Sequence, residues 1–298
     1  MTRKNSMPKP NIAPIALEIM KQTEPSKKRT TEMIASMLAR FQIDKMQSEQ
    51  RLLGERRLAS QGYKAYSEGD QDGIIQEIFR RIGVTNKFFV EFGCGDGLQN
   101  NTLYLLLGGW KGVWMDGNPR NIEAVCQIHA PSITQKLLTV EHKMLDVENI
   151  NNVISKLCSQ KEVDLLSIDI DGNDYWVWQA LDAISPRVVV IEYNATFRPP
   201  AKLVQKYVPN AQWNRTNFFG ASLKALECLG NKKGYELVGC SLANGDAFFV
   251  RRDCINENFD GPFTAENFFT PPNHDLFAPL REDALPGVGQ YIVLDDLS

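Results

Sequence analysis

Val90-Glu91-Phe92-Gly93-Cys94-Gly95-Asp96-Gly97 is the stretch that decides the fold of this chain. It runs from a short apolar strand into a turn that holds three glycines, and a helical pattern follows it. Glycines at a strand-to-helix turn let the backbone bend sharply and let a ligand approach the main chain closely. The stretch therefore predicts a doubly wound α/β fold with a ligand site at the end of its first strand.

The remainder of the central region repeats this alternation of apolar strands and helical patterns. Five apolar runs are predicted strands, at residues 88–92, 112–115, 137–140, 163–170 and 188–193. They are continuous and do not alternate with polar residues, which is typical of parallel strands covered on both faces. Two further strands, 235–242 and 247–252, flank Asn244-Gly245, a strong hairpin signal. We therefore expect a mostly parallel seven-stranded sheet with an antiparallel terminal hairpin.

The 298 residues divide into three segments of different charge. Residues 1–60 hold 12 Lys/Arg against 6 Asp/Glu, and we interpret them as a polar, partly helical extension. Residues 61–254 are nearly neutral and form the predicted main domain, and residues 255–298 hold 1 basic and 8 acidic side chains and suggest an irregular acidic tail. Apolar residues at helical spacing predict one amphipathic helix that packs on the main domain or on a second subunit: Ile34, Met37, Leu38 and Phe41. A homo-oligomer is therefore one expectation.

Composition excludes several classes of protein. With 43% hydrophobic and 23% charged residues the chain can bury a core, so it is not a disordered chain. Its apolar runs are far shorter than the ~20 residues of a membrane span, and the N-terminus lacks a signal-peptide pattern. A near-neutral centre does not suit bulk nucleic-acid binding. The six cysteines form no C-x-x-C pair, so we expect a cytoplasmic protein without structural zinc.

The glycine turn has a spacing that favours one class of cofactor over another. A dinucleotide fingerprint, G-x-G-x-x-G, would require glycine at 98, where this chain has Leu98. Glu91 precedes the turn, and its carboxylate would repel a pyrophosphate but suits a cationic ligand. S-adenosylmethionine (SAM) carries an ammonium and a sulfonium and no phosphate. These residues predict SAM binding at Glu91, Gly93, Gly95 and Gly97 and disfavour a nicotinamide oxidoreductase.

Two acids at later strand ends complete the predicted cofactor site. Asp116 ends the second strand, 19 residues past Gly97, where doubly wound folds hold a ribose diol with a carboxylate. Asp146 follows the third strand and could reach the adenine amino group. It could equally serve as the N-cap of the next helix.

These motifs, taken in order, resemble the class I SAM-dependent methyltransferases, and within them the FkbM-type group. The resemblance covers residues 63–254 and is most group-specific at Asp169-Ile170-Asp171-Gly172-Asn173-Asp174-Tyr175. Further matching segments are 66–67, 71–75, 89–97, 101–102, 109–112, 116–119, 166–168, 190–194, 219–223, 233–235 and 248–250. It implies a seven-stranded sheet whose last strand is antiparallel, SAM as the methyl donor, and methylation of hydroxyls, often on sugars or glycans.

Acidic residues at the ends of the fourth and fifth strands form the predicted acceptor end of the site. Asp171, Glu192 and Asn194 offer oxygen ligands for Mg²⁺ or Mn²⁺. Alternatively, Asp169 or Asp171 takes the acceptor proton as a general base. A third interpretation is that these acids are solvated strand ends and helix caps. The sequence leaves all three open.

Further candidate residues lie near this edge. His142 follows the third strand and is a candidate base, although a lone histidine is more often structural. Tyr175, Trp176 and Trp178 are spaced so that they cannot all face the crevice, and one of them could stack on a sugar. Residues 195–219 are expected to form a lid or an acceptor-binding loop.

The sequence thus predicts a SAM-dependent O-methyltransferase that acts on a sugar or glycan hydroxyl. The alternatives are a small-molecule or protein acceptor, or a non-catalytic scaffold that retains the fold. The intact set of Glu91, the three glycines and Asp116 argues against the scaffold.

Overall fold

A computed structural model describes residues 56–271 except 212, 244 and 256, the strand 291–293, and three separate helical residues, Met37, Phe41 and Lys45. Nine strands occur in this part of the chain. They are β1 (Phe88–Phe92), β2 (Lys111–Asp116), β3 (Leu138–His142), β4 (Glu162–Ile168), β5 (Ser185–Glu192), β6 (Leu203–Gln205), β7 (Tyr235–Cys240), β8 (Asp246–Arg251) and β9 (Tyr291–Val293).

The main sheet has seven strands in the order β3-β2-β1-β4-β5-β8-β7. Strands β1 to β5 are parallel to one another, whereas β8 runs antiparallel to both β5 and β7. The predicted doubly wound sheet with an antiparallel terminal hairpin is confirmed, and its strand order is that of the Rossmann-like class I methyltransferase fold. The order reverses between β1 and β4, and open α/β sheets bind ligands at such a switch point.

Helices cover both faces of this sheet. They are α1 (Gln71–Ile82), α2 (Leu103–Leu107), α3 (Pro119–Ile128), α4 (Ala130–Thr134), α5 (Ile150–Leu157), α6 (Asp174–Ala180), α7 (Leu223–Lys233) and α8 (Ala265–Phe268). Strand β1 shows why its apolar run is continuous. Val90 and Phe92 pack in one core with α5, α6 and α7, while Phe89 packs in the other with α1 and α2. Both sides of the strand are therefore buried, as the sequence pattern predicts.

The structure adds detail to the predicted lid or acceptor-binding loop and to the predicted irregular tail. The loop after β5 contains β6, and the C-terminal segment contains α8 and β9. Strands β6 and β9 pair antiparallel, with Leu203 opposite Val293. The C-terminal segment therefore returns to the loop that follows β5.

The N-terminal extension lies mostly outside the described residues, including Ile34 and Leu38 of the predicted amphipathic helix. Met37 and Phe41 are helical, and their exposed fractions are 66% and 68%. In the described part of the chain, no helix has the length and apolar character needed to cross a bilayer.

Candidate functional site

The glycine turn after β1 is held against the ends of two neighbouring strands. The amides of Gly93 and Cys94 donate to the carbonyl of Met115 at the end of β2, across 2.8 and 3.2 Å. Gly93, Gly95 and Gly97 all have positive φ, at 80°, 56° and 76°, which side-chain-bearing residues rarely adopt. A Cβ atom on Gly93 would lie 1.6 Å from the carbonyl oxygen of Asp169, so only glycine fits between β1 and β4.

Gly95 differs from Gly93 in what surrounds it. A Cβ atom on Gly95 would meet no atom within 4 Å, because this residue borders an open cavity. Its amide donates to Oδ2 of Asp116 across 2.9 Å. The main chain at Gly95 thus borders the open cavity, at the centre of the turn.

Asp116 is buried to 9% exposure and lines the same cavity. Its Oδ1 accepts from the amide of Asn118 (2.7 Å) and from Nδ2 of Asn121 (3.2 Å). A carboxylate has about four acceptor sites, so capacity remains for a ligand hydroxyl. Asp116 therefore fixes the turn, and its contact with a ribose stays a prediction.

Glu91 forms part of the cavity wall and is 2% exposed. Its carboxylate accepts from Nδ2 of Asn100 (2.6 Å), the amide of Asn101 (2.9 Å) and the hydroxyl of Thr102 (2.5 Å). Burial raises the pKa of Glu91, while these donors act in the opposite direction. Glu91 thus orders the segment 100–102, a role that the sequence did not suggest.

The buried side-chain amide of Asn100 has an oxygen atom that accepts no hydrogen bond from the described residues. Because the Glu91 carboxylate can only accept, the amide must turn its Nδ2 toward Glu91. Its Oδ1 then has no hydrogen-bond partner among the described residues, although the side chain is buried in the cavity wall. A buried acceptor of this kind favours a ligand that supplies an N–H or O–H donor.

Two predicted site residues lie outside this cavity. Oδ1 of Asp146 accepts from the amides of Glu148 and Asn149, at 2.9 and 2.8 Å, and so fixes the turn before α5. His142 is exposed, with Nε2 3.1 Å from the carbonyl oxygen of Gly117. Its strand β3 is separated from β4 by β2 and β1. Neither residue is among the cavity-lining residues, so an adenine contact for Asp146 and a base role for His142 stay predictions.

The acids at the other end of the cavity come together closely. One carboxylate oxygen from each of Asp169, Asp171 and Glu192 lies within 4.8 Å of the other two. The pKa values of Asp169 and Glu192 are raised well above their usual range, first by burial and then by repulsion among the neighbouring carboxylates. Oε2 of Glu192 is buried without a hydrogen-bond partner in the described part of the molecule. This site has a surplus of negative charge that a cation would neutralise.

The turn that carries Asp171 is fixed by Asp174. The Asp174 carboxylate accepts from the amides of Ile170 and Gly172, across 2.7 and 2.8 Å. Asp171 has φ 58°, in the left-handed region where residues other than glycine are uncommon. The turn was expected to be a helix start, and it also aims Asp171 at the cavity.

Asn194 has a different position from the one expected of a metal ligand. It is fully buried, its Nδ2 donates to the carbonyls of Asn217 (2.8 Å) and Phe219 (3.0 Å), and its Oδ1 accepts from the amide of Thr196 (3.1 Å). The side chain therefore holds the loop after β5. Asp169 takes the third position beside Asp171 and Glu192.

The sequence analysis missed Asp246, which also faces this end of the cavity. It is 5% exposed and lies opposite Glu192 in the β5–β8 register. Nε2 of Gln71 donates to its Oδ2 across 2.5 Å. Burial raises the pKa of Asp246 to about 7. The hairpin signal at Asn244-Gly245 could have found it, because an acid directly after that turn begins the strand beside β5.

The aromatic residues of α6 divide as their spacing suggests. Tyr175 and Trp178 are core residues, at 3% and 1% exposure. Trp176 is half-buried, and its Nε1 donates to the carbonyl of Gln205 in β6 across 2.8 Å. None of the three is among the cavity-lining residues, whereas Trp213 of the following loop is.

One cavity joins the two ends. Its volume is about 1140 Å³, and it extends from the glycine turn and Asp116 to Asp171, Glu192 and the loop at 211–219. Eight of its lining residues are acidic and two are basic. We call the end at the glycine turn and Asp116 the donor half, and the end at Asp171, Glu192 and the loop the acceptor half.

No family model matches the sequence, and no curated protein matches it either. Among solved structures, the N-terminal domain of EvdMO1, crystallised in the presence of SAH and D-fucose, is 12% identical with a TM-score of 0.41, over 68% of this chain and 98% of that one. A Staphylococcus aureus protein named as a candidate caffeoyl-CoA O-methyltransferase is 13% identical with a TM-score of 0.46, over 72% of this chain and 99% of that one.

A third similar structure, StiE O-MT residues 961–1257, is 15% identical with a TM-score of 0.33, over 55% of this chain and 52% of that one. The second and third of these structures are named as O-methyltransferases, and the first was crystallised in the presence of SAH. Their TM-scores are below 0.5, so the strand order of the sheet, and not this likeness, carries the fold assignment.

Proposed function

We propose that this protein transfers a methyl group from SAM to a hydroxyl group of a sugar or glycan. The observation that carries the proposal is the single cavity that joins the glycine turn and Asp116 to the cluster of Asp169, Asp171 and Glu192. SAM supplies a methyl group that its sulfonium already activates. The protein then has to align the acceptor oxygen with that group and remove one proton.

The donor half suits the amino-acid and ribose parts of SAM. The open space over Gly95 lets a ligand contact the main chain. The unpartnered Oδ1 of Asn100 is an acceptor for an ammonium group, and Asp116 has acceptor capacity for ribose hydroxyls. The acidic wall favours a cationic ligand and opposes a pyrophosphate. These features support SAM over a nicotinamide dinucleotide, in agreement with Leu98 in the turn.

The acceptor half suits a divalent cation. Asp169, Asp171 and Glu192 would hold it, since carboxylate oxygens are the ligands that Mg²⁺ and Mn²⁺ prefer. The orphaned Oε2 of Glu192 is the observation that favours this fit. A bound cation would lower the pKa of an acceptor hydroxyl and help to orient it.

The same residues could work as a general base without a metal. The raised pKa of Asp169 suits this role too, because a general base works best when its pKa is shifted toward the working pH. We prefer the cation because Oε2 of Glu192 is buried without a partner among the described residues, and we keep the metal-free base as the alternative that the experiment distinguishes.

A sugar acceptor is the finer part of the proposal. It follows from the resemblance of residues 63–254 to the FkbM-type group, and two aromatic residues of the acceptor half, Trp213 and Phe219, are suited to stacking on a sugar face. A small-molecule or protein acceptor would use the same donor half and the same acids.

Calorimetry and an activity assay test the proposal. SAM and its product S-adenosylhomocysteine (SAH) should bind, whereas NAD should not. Mass profiling with SAM and a sugar-rich cell extract should then reveal a product heavier by one methyl group. Transfer should stop with EDTA and return with Mg²⁺ or Mn²⁺ if the cation is required. Tight NAD binding without SAM binding would contradict the proposal.

A further inference from the structure

The loop 208–219 crosses the acceptor half from the end of β4 to the end of β5. At one end, Nδ2 of Asn173 donates to the carbonyl of Val208 across 2.8 Å. At the other, Nδ2 of Asn194 donates to the carbonyls of Asn217 and Phe219. A Cβ atom on Gly172 would lie 3.8 Å from Cβ of Ala211, so the loop passes directly beside the turn that carries Asp171. Three residues of this loop, Trp213, Arg215 and Phe219, line the same cavity as the acidic cluster.

Arg215 lies in the middle of this span and lines the cavity. Its φ of 62° is in the left-handed region, and a local network supports this conformation. Oδ1 of Asn214 accepts from the hydroxyl of Thr216 (2.6 Å) and from its amide (3.2 Å), and Nε1 of Trp213 donates to the carbonyl of Thr216 (2.6 Å). The position of Arg215 is thus built by its neighbours on both sides.

Arg215 is exposed, and its guanidinium has no partner among the described residues of a cavity whose wall is mostly acidic. Eight acidic residues line the cavity, yet Arg215 forms no ion pair or hydrogen bond through its side chain with any residue that the structure describes. The second basic residue of the lining, Lys143, is at the far end, where its amide donates to the carbonyl of Asp116. Arg215 is therefore the cation of the acceptor half, within the described residues.

We infer that Arg215 binds an anionic oxygen group, a carboxylate or a phosphate, on the acceptor molecule. This inference rests on the proposed function and specifies its substrate as an acidic sugar or a similar anionic hydroxyl compound. A guanidinium forms two parallel hydrogen bonds with either group, so it fixes orientation as well as charge. An acceptor held at Arg215 on the loop and at the acids below it would be fixed at two points. Such orientation is the main requirement of methyl transfer from an activated donor.

The rival explanation is that Arg215 serves as the counter-ion of Asp169, Asp171 and Glu192. In that case the guanidinium would compete with a divalent cation, and its removal would strengthen Mg²⁺ binding. The two explanations therefore differ for Arg215→Ala: our inference predicts unchanged Mg²⁺ binding, and the rival predicts tighter Mg²⁺ binding.

Calorimetry with three matched probes tests the inference: D-glucuronate, glucose 6-phosphate and the uncharged D-glucose. Each is titrated into the full chain with Mg²⁺, both with and without SAH. We expect at least one anionic probe to bind ten-fold or more tightly than D-glucose, and Arg215→Ala to abolish that preference. Arg215→Lys should keep more of a preference for phosphate than for carboxylate, which separates the two sources of the anion.

Arg198→Ala is the matched control, because Arg198 is an exposed arginine of the same segment that does not line the cavity. It should leave all three affinities unchanged, and Arg215→Ala should leave SAH and Mg²⁺ binding unchanged. The inference is overturned if no anionic probe binds more tightly than D-glucose, if the preference survives Arg215→Ala, or if that variant binds Mg²⁺ ten-fold more tightly. A failure of SAH to bind would instead overturn the proposed function. The two failures are distinguishable because the binding of the three probes is also measured without SAH.

Discussion

Asp116 accepts a hydrogen bond from the backbone amide of Gly95, and this bond ties the end of β2 to the glycine turn after β1. The residue expected to hold a ribose therefore also fixes the shape of the turn that borders the donor half. The proposed ribose contact and the geometry of the turn therefore depend on the same carboxylate.

Substitution of Asp116 should separate the effects of its two oxygens. Asp116→Ala removes every hydrogen bond to Gly95, Asn118 and Asn121, and we expect it to weaken SAH binding by about 1–3 kcal/mol. Asp116→Asn keeps one acceptor oxygen and should lose less. Calorimetry with SAH measures both, and equal affinities for wild type and Asp116→Ala would contradict the assignment.

Substitution by alanine should have different effects at Gly93 and at Gly95. In Gly93→Ala the new Cβ would overlap the carbonyl of Asp169, so the ends of β1 and β4 must separate and the thermal midpoint should fall sharply. Gly95→Ala has open space for its Cβ but a φ that alanine disfavours, at a cost of about 1–2 kcal/mol. We expect it to fold and to lose SAH affinity, as melting curves and calorimetry would show. The reverse pattern would mean that the turn is placed incorrectly.

Glu91→Gln should damage the segment 100–102 without touching the ligand directly. The variant replaces one acceptor oxygen by an NH₂ group that faces donors from Asn100, Asn101 and Thr102. Leaving buried donors unpaired costs about 1–3 kcal/mol, so stability and SAH affinity should fall together. Chemical denaturation and calorimetry on the same sample test this, and a variant with lower affinity but unchanged stability would instead indicate direct contact with SAM.

Substitutions in the acidic cluster should separate metal ligands from loop anchors. Asp171→Asn and Glu192→Gln should each weaken Mn²⁺ binding ten-fold or more while SAH affinity stays near normal, because the donor half lies over β1 and β2. Asn194→Ala should leave Mn²⁺ binding intact and loosen the loop that its amide holds. Mn²⁺ titration followed by electron paramagnetic resonance measures these affinities. If none of the variants changes Mn²⁺ binding, these acids do not hold the cation and the metal-free base remains as the alternative.

Asp246 should make the free protein less stable as the pH rises. Burial raises its pKa from 3.8 to about 7, so between these values the folded protein keeps a proton that the unfolded chain releases. Stability then falls with increasing pH across this window and is lowest above pH 7. Asp246→Asn removes the buried charge and should raise the melting temperature at pH 8 by several degrees, with little change near pH 4. Glu123→Gln, at an exposed position, is the control, and equal melting temperatures at pH 8 would refute the prediction.

The sheet could be predicted from sequence because its information is local. Continuous apolar runs mark parallel strands such as β1 and β4, and Asn244-Gly245 marks the hairpin that makes β8 antiparallel. The chain order of Gly93, Asp116 and Asp171 likewise predicts the strand ends that face the cavity. The positions of strand ends and turns are determined by residues that are close together in the sequence.

The contents of the acceptor half depend on long-range contacts and could not be predicted. Nothing near Asn194 shows that its amide holds the backbone of Asn217, and the pairing of β6 with β9 joins segments far apart in sequence. Asp246 of β8 lies opposite Glu192 of β5 in the strand register, and only the folded sheet brings these two strands side by side. Side-chain roles at this end follow from tertiary packing.

The β6–β9 pair has a consequence for the order in which the molecule is assembled during synthesis. The donor half is built mainly from residues 91–121, which leave the ribosome early and contact one another locally. The loop of the acceptor half follows β6, and β6 gains its strand partner only when residues 291–293 have emerged. A nascent chain can therefore form the donor half, and join β6 to Gly220 and Ala221, before β9 is added to the other side of β6.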